Sequence, residues 1–562
     1  MTCDLTRILG TVPPSASKTL LWSGAGVSAE APTNGPLGVT LTEEALDRLF
    51  LPGTREEVDA VFSSFGRSGP RLESVLGVGL QDDAHGLAGL GLLDQLAAGE
   101  PNRLHRFFAR HVAVGGRHVT ANFDLCIERA LAAPSAAAAI LHFHGRLDDP
   151  PSVRAGGSVA LLQHGLSDSV AHELAGWLGA ADLVVFLGYS GSDYFDVDPF
   201  FRQWVKTGAA RGKTFLWVVH DEQPADPPDV VLGASCRQPQ LEAFHSAGGR
   251  AMQLHARTAD VLAALAKEWR LEPPEPAEPW QGYRRRSSPL GSAGARAAAT
   301  TLLWDHVGSS ERVLRHLPDA SLPTRRSSAL AAEAAWGSGR YGLARRHYRR
   351  AHAGRAVVDR VARWERIGAT LWVQGRWTAA VVVLALTLRL AERRGVDPGP
   401  VPETLVRVLD HMRRSPDTRW LSMLRVARWA HEHIPDPDPR GQGVALAARF
   451  GDLRGRLDGD EERRVDEALA SFTQFDSLHA VLNFVHGGIR RSAESGRVDV
   501  ATVRRQVALA TALGRPESLH TLVLMPGLGA YFGWRDRLSS AFALQISSWH
   551  RLRRLAAGNR PR

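Results

Sequence analysis

Six short β-rich runs alternate with helical patterns over residues 1–270, and this alternation is the strongest constraint on the fold. The run at 183–187 is apolar at every position, as expected for a strand that is covered on both faces. Strands that alternate with helices build a parallel sheet with helices on both sides. We therefore predict a Rossmann-like α/β fold with a helical insertion over 42–110. The predicted strands are 19–22, 118–120, 140–144, 183–187, 215–220 and 251–254.

Residues 271–295 separate this half of the chain from the rest. Four prolines fall between Pro273 and Pro279, and they cannot continue a helix. We therefore predict three parts: an α/β domain at 1–270, a Pro/Arg-rich linker at 271–295 and a helical domain at 296–562.

Within the helical domain, segments 335–344 and 371–380 align at an offset of 36 residues, each with a Gly-Arg-aromatic turn between two helices. This pattern resembles the tetratricopeptide helical hairpin. The alternative is an ordinary helical bundle. In either arrangement the helices bury their apolar faces against neighbouring helices.

Composition limits the classes of function. The longest apolar run is far short of the roughly 20 residues that span a membrane, and three cysteines cannot build a disulfide framework. We therefore expect a cytoplasmic protein without a membrane segment. Residues 1–270 hold 22 Lys+Arg and 30 Asp+Glu, a net charge of −8, whereas residues 271–562 hold 46 and 29, a net charge of +17. The arginines are scattered among acidic residues, which favours a solvated helical surface over a nucleic-acid face.

A glycine-rich motif, Leu-Leu-Trp-Ser-Gly-Ala-Gly-Val-Ser, occupies residues 20–28 at the end of the first predicted strand. Glycines let the backbone approach a ligand closely, and the start of a following helix offers N–H groups to a phosphate. The third glycine of the strict dinucleotide motif is replaced by Ala29. The alternative is an ordinary glycine turn. The candidate ligand contacts are Ser23, Gly24, Ala25, Gly26 and Ser28.

Two further strand ends carry polar residues. The segment Thr-Ala-Asn-Phe-Asp over 120–124 offers a hydroxyl, an amide and a carboxylate, although a helix cap would also explain Asp124. The segment Gly-Tyr-Ser-Gly-Ser-Asp over 188–193 repeats the order of strand, glycine and serine. Loops at the carboxyl ends of parallel strands face the ligand crevice. The candidates are Thr120, Asn122, Asp124, Gly188, Ser190 and Asp193.

Histidines follow the predicted third strand. His144 precedes Gly145 at the strand end, where an imidazole can accept a proton near neutral pH, although a histidine there is more often structural. His142 is expected on the same side of that strand. No Cys/His cluster has zinc spacing, so we expect no metal. His220 and Asp221 after the fifth strand form a looser ribose-contact candidate, with a polar turn as the alternative.

In this order, the motifs at 24–28, 120–124, 144–145 and 188–193 resemble the NAD-binding core of the sirtuin family over residues 15–270. The likeness is closest to the sirtuin-like NADases of bacterial antiphage defence. It implies that the first loop holds the pyrophosphate of NAD, that Asn122 lies beside the nicotinamide ribose and that His144 is the catalytic histidine. The chain departs from the deacylase pattern because it lacks paired Cys-x-x-Cys motifs, and 29–37 lacks the expected Asp-Phe-Arg.

The resemblance therefore implies an NAD hydrolase that releases nicotinamide and ADP-ribose. Nicotinamide in NAD is cationic and leaves without protonation, so the enzyme needs a phosphate clamp, oriented ribose hydroxyls and one water around an oxocarbenium-like sugar. We expect the helical domain to gate this activity through an unidentified activating partner, and a homo-oligomer is compatible with the sequence. The alternatives are an NAD-dependent deacylase or ADP-ribosyltransferase, and a non-catalytic NAD- or nucleotide-sensing scaffold.

Overall fold

The computed structural model divides the chain into two compact units. One comprises residues 4–55 and 70–296, and the other comprises 56–69 together with the chain from 297 onward. The described residues are 4–80, 91–149, 151–153, 166–191, 197–279, 282–408, 478 and 500–515, without 95, 98, 226–227, 237, 355, 375, 403 and 406–407.

A seven-stranded sheet forms the centre of the first unit, with the strand order β3-β2-β1-β4-β5-β7-β6. All neighbouring strands are parallel except β6 and β7. The predicted Rossmann-like α/β fold and its six strands are confirmed, and β6 is a further three-residue edge strand. The third strand is shorter than predicted, because it ends at His142 and residues 143–144 form a turn, so His142 and His144 do not share one strand. The strands are β1 (Thr19–Ser23), β2 (Arg117–Thr120), β3 (Ile140–His142), β4 (Leu183–Leu187), β5 (Thr214–His220), β6 (Val230–Leu232) and β7 (Arg250–Ala256).

Strand order reverses between β1 and β4, which makes their shared carboxyl end a topological switch point. Gly24 follows β1 and Gly188 follows β4, so both glycine turns lie at this point. Open α/β sheets bind their ligands in the crevice outside the carboxyl ends of the strands at such a position. The topology therefore predicts a ligand site at this edge of the sheet.

Helices surround the sheet, and no strand occurs in the described part of 42–110, as the helical insertion predicts. Helix α3 lies almost wholly in the stretch 56–69, which belongs to the second unit. The helices up to residue 270 are α1 (Leu5–Leu9), α2 (Gly38–Leu49), α3 (Thr54–Ser64), α4 (Leu72–Leu80), α5 (Arg103–Ala113), α6 (Cys126–Arg129), α7 (Asp168–Ala180), α8 (Val197–Val205), α9 (Pro239–Ser246) and α10 (Thr258–Trp269).

The two faces of the sheet carry separate apolar cores. Leu21 of β1 joins a cluster that includes Phe108 of α5 and Leu262 of α10. Its neighbour Trp22 joins the opposite cluster, which includes Phe201 of α8 and Phe244 of α9. Side chains of a strand alternate between faces, so helices on both sides bury every residue of β1. The sheet is therefore a rigid support for the loops at its edge.

The described part of the second unit is helical. Both segments that align in sequence form a helix, a short turn and a helix, and the turn of the first uses Gly339 at φ 74°. The predicted helices from 409 onward lie outside the described residues apart from 478 and 500–515. Within the described part of the chain, no helix has the length and hydrophobicity of a membrane span. The helices are α11 (Ala293–Val307), α12 (Ser310–His316), α13 (Thr324–Gly337), α14 (Tyr341–Ala351), α15 (Val357–Val373), α16 (Trp377–Arg393) and α17 (Val500–Leu513).

An exposed glycine inside α7 gives a stability prediction. A Cβ added at Gly176 would meet no atom within 4 Å. Alanine loses less backbone entropy than glycine in a helix, so Gly176→Ala should stabilise the protein by about 0.5–1 kcal/mol. Urea denaturation of the variant and the wild type measures this difference. An unchanged or lower midpoint would contradict the placement of Gly176 on an open helix surface.

Candidate functional site

Ser28 is the centre of a buried hydrogen-bond network at the carboxyl ends of β1 and β2. Its Oγ lies 2.8 Å from Asn122 Nδ2, 2.9 Å from Asp124 Oδ2 and 3.0 Å from His105 Nε2. Three residues of the predicted site, Ser28, Asn122 and Asp124, are therefore brought together. The fourth partner, His105 of α5, was not predicted.

The hydrogen bonds around His105 fix where its proton resides. The Asn102 backbone N–H donates to His105 Nδ1 at 3.2 Å, so Nδ1 is an acceptor and Nε2 carries the proton. Burial lowers the pKa of His105, which favours the neutral ring. Nε2–H then donates to Ser28 Oγ, and the Ser28 hydroxyl donates to Asp124. In this tautomer His105 cannot take the Ser28 proton, so the pair positions a hydroxyl and does not activate a nucleophile.

The start of α5 places His105 in this network. Asn102 caps the helix, and its side-chain oxygen accepts from the backbone N–H groups of Leu104 and His105. Its Nδ2 also donates to Val27 O at 2.7 Å, which ties the helix to the loop after β1. The sequence analysis did not predict Asn102 or His105 as site residues. The pattern that could have indicated them is an Asn three positions before a His at the start of an apolar helical pattern.

Asp124 has two roles that the sequence leaves as alternatives. Its Oδ1 accepts from the Cys126 backbone N–H at 3.1 Å and so fixes the loop before α6. Its Oδ2 holds Ser28. His142 stabilises the same loop through two hydrogen bonds. Its Nδ1 lies 2.8 Å from Asn122 O, and its Nε2 lies 2.7 Å from Glu128 Oε1. His142 is therefore a structural partner of this loop.

His105, Asp124 and Cys126 place three potential metal-ligand atoms within 4.8 Å of one another. Each atom is already engaged, however: His105 Nε2 and Asp124 bond to Ser28, and Cys126 Sγ lies 3.5 Å from Gly99 O. Burial also raises the pKa of the Cys126 thiol, and the thiol is a much weaker ligand than the thiolate. These residues therefore do not fit a metal ion.

The two glycine turns pack against each other. Gly24 N–H donates to Leu187 O at 3.2 Å, and Gly26 N–H donates to Gly188 O at 3.0 Å. Val27 N–H donates to Gly24 O at 3.1 Å. These three amides of the predicted pyrophosphate loop are therefore bonded within the protein. The loop supplies close packing between β1 and β4, and these three amides are not available to a phosphate.

A cavity of about 330 Å³ opens beside the Ser28 network. It brings together Ala25, Ser28, Asn122 and Asp124 from the predicted site. Asp124 is the one acidic residue among the described lining residues, and Arg284 and Arg286 are the basic ones. The lining residues are Ala25, Ser28, Thr33, Asn34, Gly35, Pro36, Gly38, Leu41, Leu72, Leu96, Gly99, Ala121, Asn122, Phe123, Asp124, Gly282, Tyr283, Arg284 and Arg286.

Other predicted residues lie behind or beside this cavity. Ser23 and Thr120 are buried, with their hydroxyl oxygens 3.1 Å apart, and Thr120 Oγ1 accepts from the Asn122 backbone N–H. They support the loop from within the sheet. Ser190 lies at the end of β4 with Gly188, and Asp193 lies outside the described residues.

His144 lies at the same edge of the sheet but does not line the cavity. Its side chain is buried, and its ring centroid is 4.4 Å from that of Phe143 and 6.1 Å from that of Phe123. Phe123 forms part of the cavity wall. The imidazole therefore contacts a residue of the cavity wall without being part of that wall itself.

The looser candidates after β5 form a polar turn. His220 contacts Thr258 and Glu222, and the Asp221 carboxylate accepts from the Gln223 backbone N–H at 2.9 Å. This arrangement matches the alternative interpretation of the two residues. Neither lines the cavity described above.

Buried neutral histidines predict a loss of stability in mild acid. Burial lowers the pKa of His111 to about 4 and that of His118 well below its usual range. An unfolded histidine titrates near 6.5, so the unfolded chain binds more protons below that pH, and stability falls as the pH drops from about 7 towards 4. His111 alone should cost about 2 kcal/mol at pH 5. Urea denaturation at pH 7.5 and at pH 5.0 measures the decrease in the free energy of unfolding. This decrease should be about 2 kcal/mol smaller in His111→Gln than in the wild type. Equal decreases in the two proteins would contradict the assignment.

No protein-family model matches the chain, and no curated protein matches it significantly. The sirtuin resemblance therefore stays a prediction from the strand-end motifs.

Proposed function

We propose that the protein is an NAD hydrolase that cleaves the nicotinamide–ribose bond to give nicotinamide and ADP-ribose. The observation that carries the proposal is the Ser28, Asn122 and Asp124 network, which borders a cavity beside the switch point of a parallel sheet. This is the position at which α/β sheets bind nucleotides. The order of the strand-end motifs supports NAD as the particular nucleotide.

The residues at the cavity suit the chemistry of this reaction. Nicotinamide departs as a neutral group, and the sugar gains positive charge as the bond breaks. The Asp124 carboxylate supplies negative charge at the wall, which stabilises such a transition state. Asn122 would orient a ribose hydroxyl or the attacking water. Water forms a bond to the sugar carbon as the bond to nicotinamide breaks, and the proton that the water loses is the one that His144 is proposed to accept.

The position of His144 favours a second candidate, an NAD-binding sensor without turnover. His144 is the predicted proton acceptor, yet it is not among the described residues that line the cavity. Purified protein incubated with NAD separates the two candidates when products are resolved by chromatography. Accumulating nicotinamide and ADP-ribose supports the hydrolase. Tight NAD binding with no product over hours, both for the purified protein alone and after addition of lysate from phage-infected cells, supports the sensor and contradicts hydrolysis.

The His144→Ala variant tests the catalytic assignment directly. A general base contributes at least about 100-fold to a rate, so we expect NAD turnover to fall by that factor at a temperature well below the melting temperature of the variant, which loses the packing of a buried ring. His172→Ala in the exposed part of α7 is the matched control and should keep the wild-type rate. Turnover of His144→Ala within threefold of wild type would show that the imidazole is not required.

We further propose that the helical half gates the activity in antiphage defence, because an unregulated NAD hydrolase would deplete its own cell. Its net charge of +17 favours an acidic activating partner. Cellular NAD in bacteria that express the full chain should stay constant until phage infection and then fall. A fall without infection would contradict gating, and an unchanged level in infected cells would contradict the role in defence.

A further inference from the structure

Residues 282–290, which we name the strap, are the part of the predicted linker that reaches the cavity. Tyr283 Oη donates to Glu44 Oε2 at 2.5 Å, and the Arg285 guanidinium lies 2.9 Å from Glu43 and 2.6 Å from Asp47. All three acidic residues belong to α2. The strap is therefore held by specific side-chain bonds.

Its far end is bonded to the same helix. The backbone N–H of Leu290 donates to Arg48 O at 2.8 Å, and Arg48 Nε donates to Ser288 O at 2.9 Å. Arg48 itself is buried and paired with Glu44 at 2.5 Å. Contacts at both ends fix the strap along α2, so its middle residues have a defined position beside the cavity.

The three consecutive arginines of the strap contact different parts of the protein. Arg285 bonds to α2, whereas Arg284 and Arg286 line the cavity. These two are the basic residues among the described lining residues, and both are exposed. Arginine remains charged at any physiological pH and can bind two phosphate oxygens at once.

Among the described residues that line the cavity, Arg284 and Arg286 are the sources of positive charge. The segment 29–37, which contributes Thr33 to Pro36 to the wall, holds no basic residue. The amides of Gly24, Gly26 and Val27 donate to carbonyl oxygens of the protein itself. A dinucleotide carries two negative charges on its diphosphate, and burying them beside Asp124 requires opposite charge nearby.

We propose that Arg284 and Arg286 bind the diphosphate of the ligand and select nucleoside diphosphates over uncharged nucleosides. The identity of the ligand as NAD rests on the proposed function, whereas the preference for a diphosphate rests on the cavity and the strap. The strap is then a part of the binding site that the α/β sheet does not supply.

Calorimetric titration of the full chain with inorganic pyrophosphate and with ADP-ribose tests this proposal. One charge-assisted contact corresponds to about tenfold in affinity, so R284Q/R286Q should bind both ligands about 100-fold more weakly. R284K/R286K keeps the positive charge but lacks the planar guanidinium that binds two phosphate oxygens at once, so it should recover part of the affinity. The control Arg211→Gln, an exposed residue elsewhere in the first unit, should bind as wild type does. Melting temperatures of all variants check folding.

The outcomes separate this proposal from the proposed function. Equal binding of pyrophosphate by wild type and R284Q/R286Q, or no binding by wild type, would overturn the role of the strap even if NAD is hydrolysed. Arginine-dependent binding of pyrophosphate in a protein that leaves NAD intact even after addition of lysate from phage-infected cells would support the strap and overturn the hydrolase. Weaker binding of adenosine by R284Q/R286Q, to the same extent as ADP-ribose, would also overturn selection by charge.

Discussion

Replacing Asn122 with aspartate should lower NAD hydrolysis by about 10²–10³-fold at pH 7.5 while the protein stays folded. The substitution keeps the shape of the side chain but removes the N–H that donates to Ser28 Oγ. The Ser28 hydroxyl has one proton and already donates to Asp124. A second carboxylate at 122 would therefore face an oxygen that cannot donate to it.

The same variant should partly recover as the pH falls. Two neighbouring carboxylates cannot both ionise easily, so the pKa of one of them rises. When the carboxyl at 122 is protonated, its O–H can replace the lost amide donor. We expect the ratio of variant to wild-type rates to increase between pH 7.5 and pH 5.5.

Two comparisons make this prediction sharp. Asn122→Ala removes the donor without adding charge and should lose activity with no recovery in acid. Gln223→Glu introduces a carboxylate in the exposed turn after β5 and should behave as wild type does. Turnover of Asn122→Asp within threefold of wild type at pH 7.5 would contradict the assigned role of the Asn122 amide.

The sequence predicts the strands because each is a short apolar or β-branched run between helical patterns. It also predicts that Ser28, Asn122 and Asp124 meet, since parallel strands end at one edge of the sheet. The sequence does not predict strand β6, and the reason is physical. It has three residues, follows Pro224 and Pro228, and pairs only at the sheet edge, so it leaves no periodic signal.

Residues that reach the site from distant parts of the chain cannot be predicted from local patterns. His105 lies 77 positions from Ser28, and nothing in α5 indicates which loop its third residue will contact. The linker is a similar case. Its prolines predict an irregular backbone, but the position of the strap depends on pairs such as Arg285 with Asp47, which are separated by 238 residues.

Substituting alanine for Gly188 should destabilise the protein by about 2–4 kcal/mol and abolish nucleotide binding. Gly188 has φ 56°, a region that side chains rarely adopt. An added Cβ would lie 2.7 Å from Val27 N and 3.0 Å from Gly26 C. Both are backbone atoms, so the turn after β1 would have to move away from the turn after β4.

Gly26 gives an independent test of the same contact from the other side. Its added Cβ would lie 2.9 Å from Gly188 Cα and 3.0 Å from Gly188 O. Either substitution forces the two turns apart and weakens the Gly26 N–H to Gly188 O bond. The losses of Gly26→Ala and Gly188→Ala should therefore fall short of additivity in the double variant, because the second Cβ enters a gap that the first has opened.

Urea denaturation and ADP-ribose titration measure both consequences. Gly176→Ala serves as the control, because the same substitution at an open helix position is expected to stabilise the protein. A loss of stability in Gly188→Ala is then caused by the contact between the turns and not by the change from glycine to alanine as such. Stability of Gly188→Ala within about 0.5 kcal/mol of wild type would contradict the close approach of the two turns. Losses that add fully in the double variant would show that the glycines act separately. The crevice at the switch point would then not depend on their mutual packing.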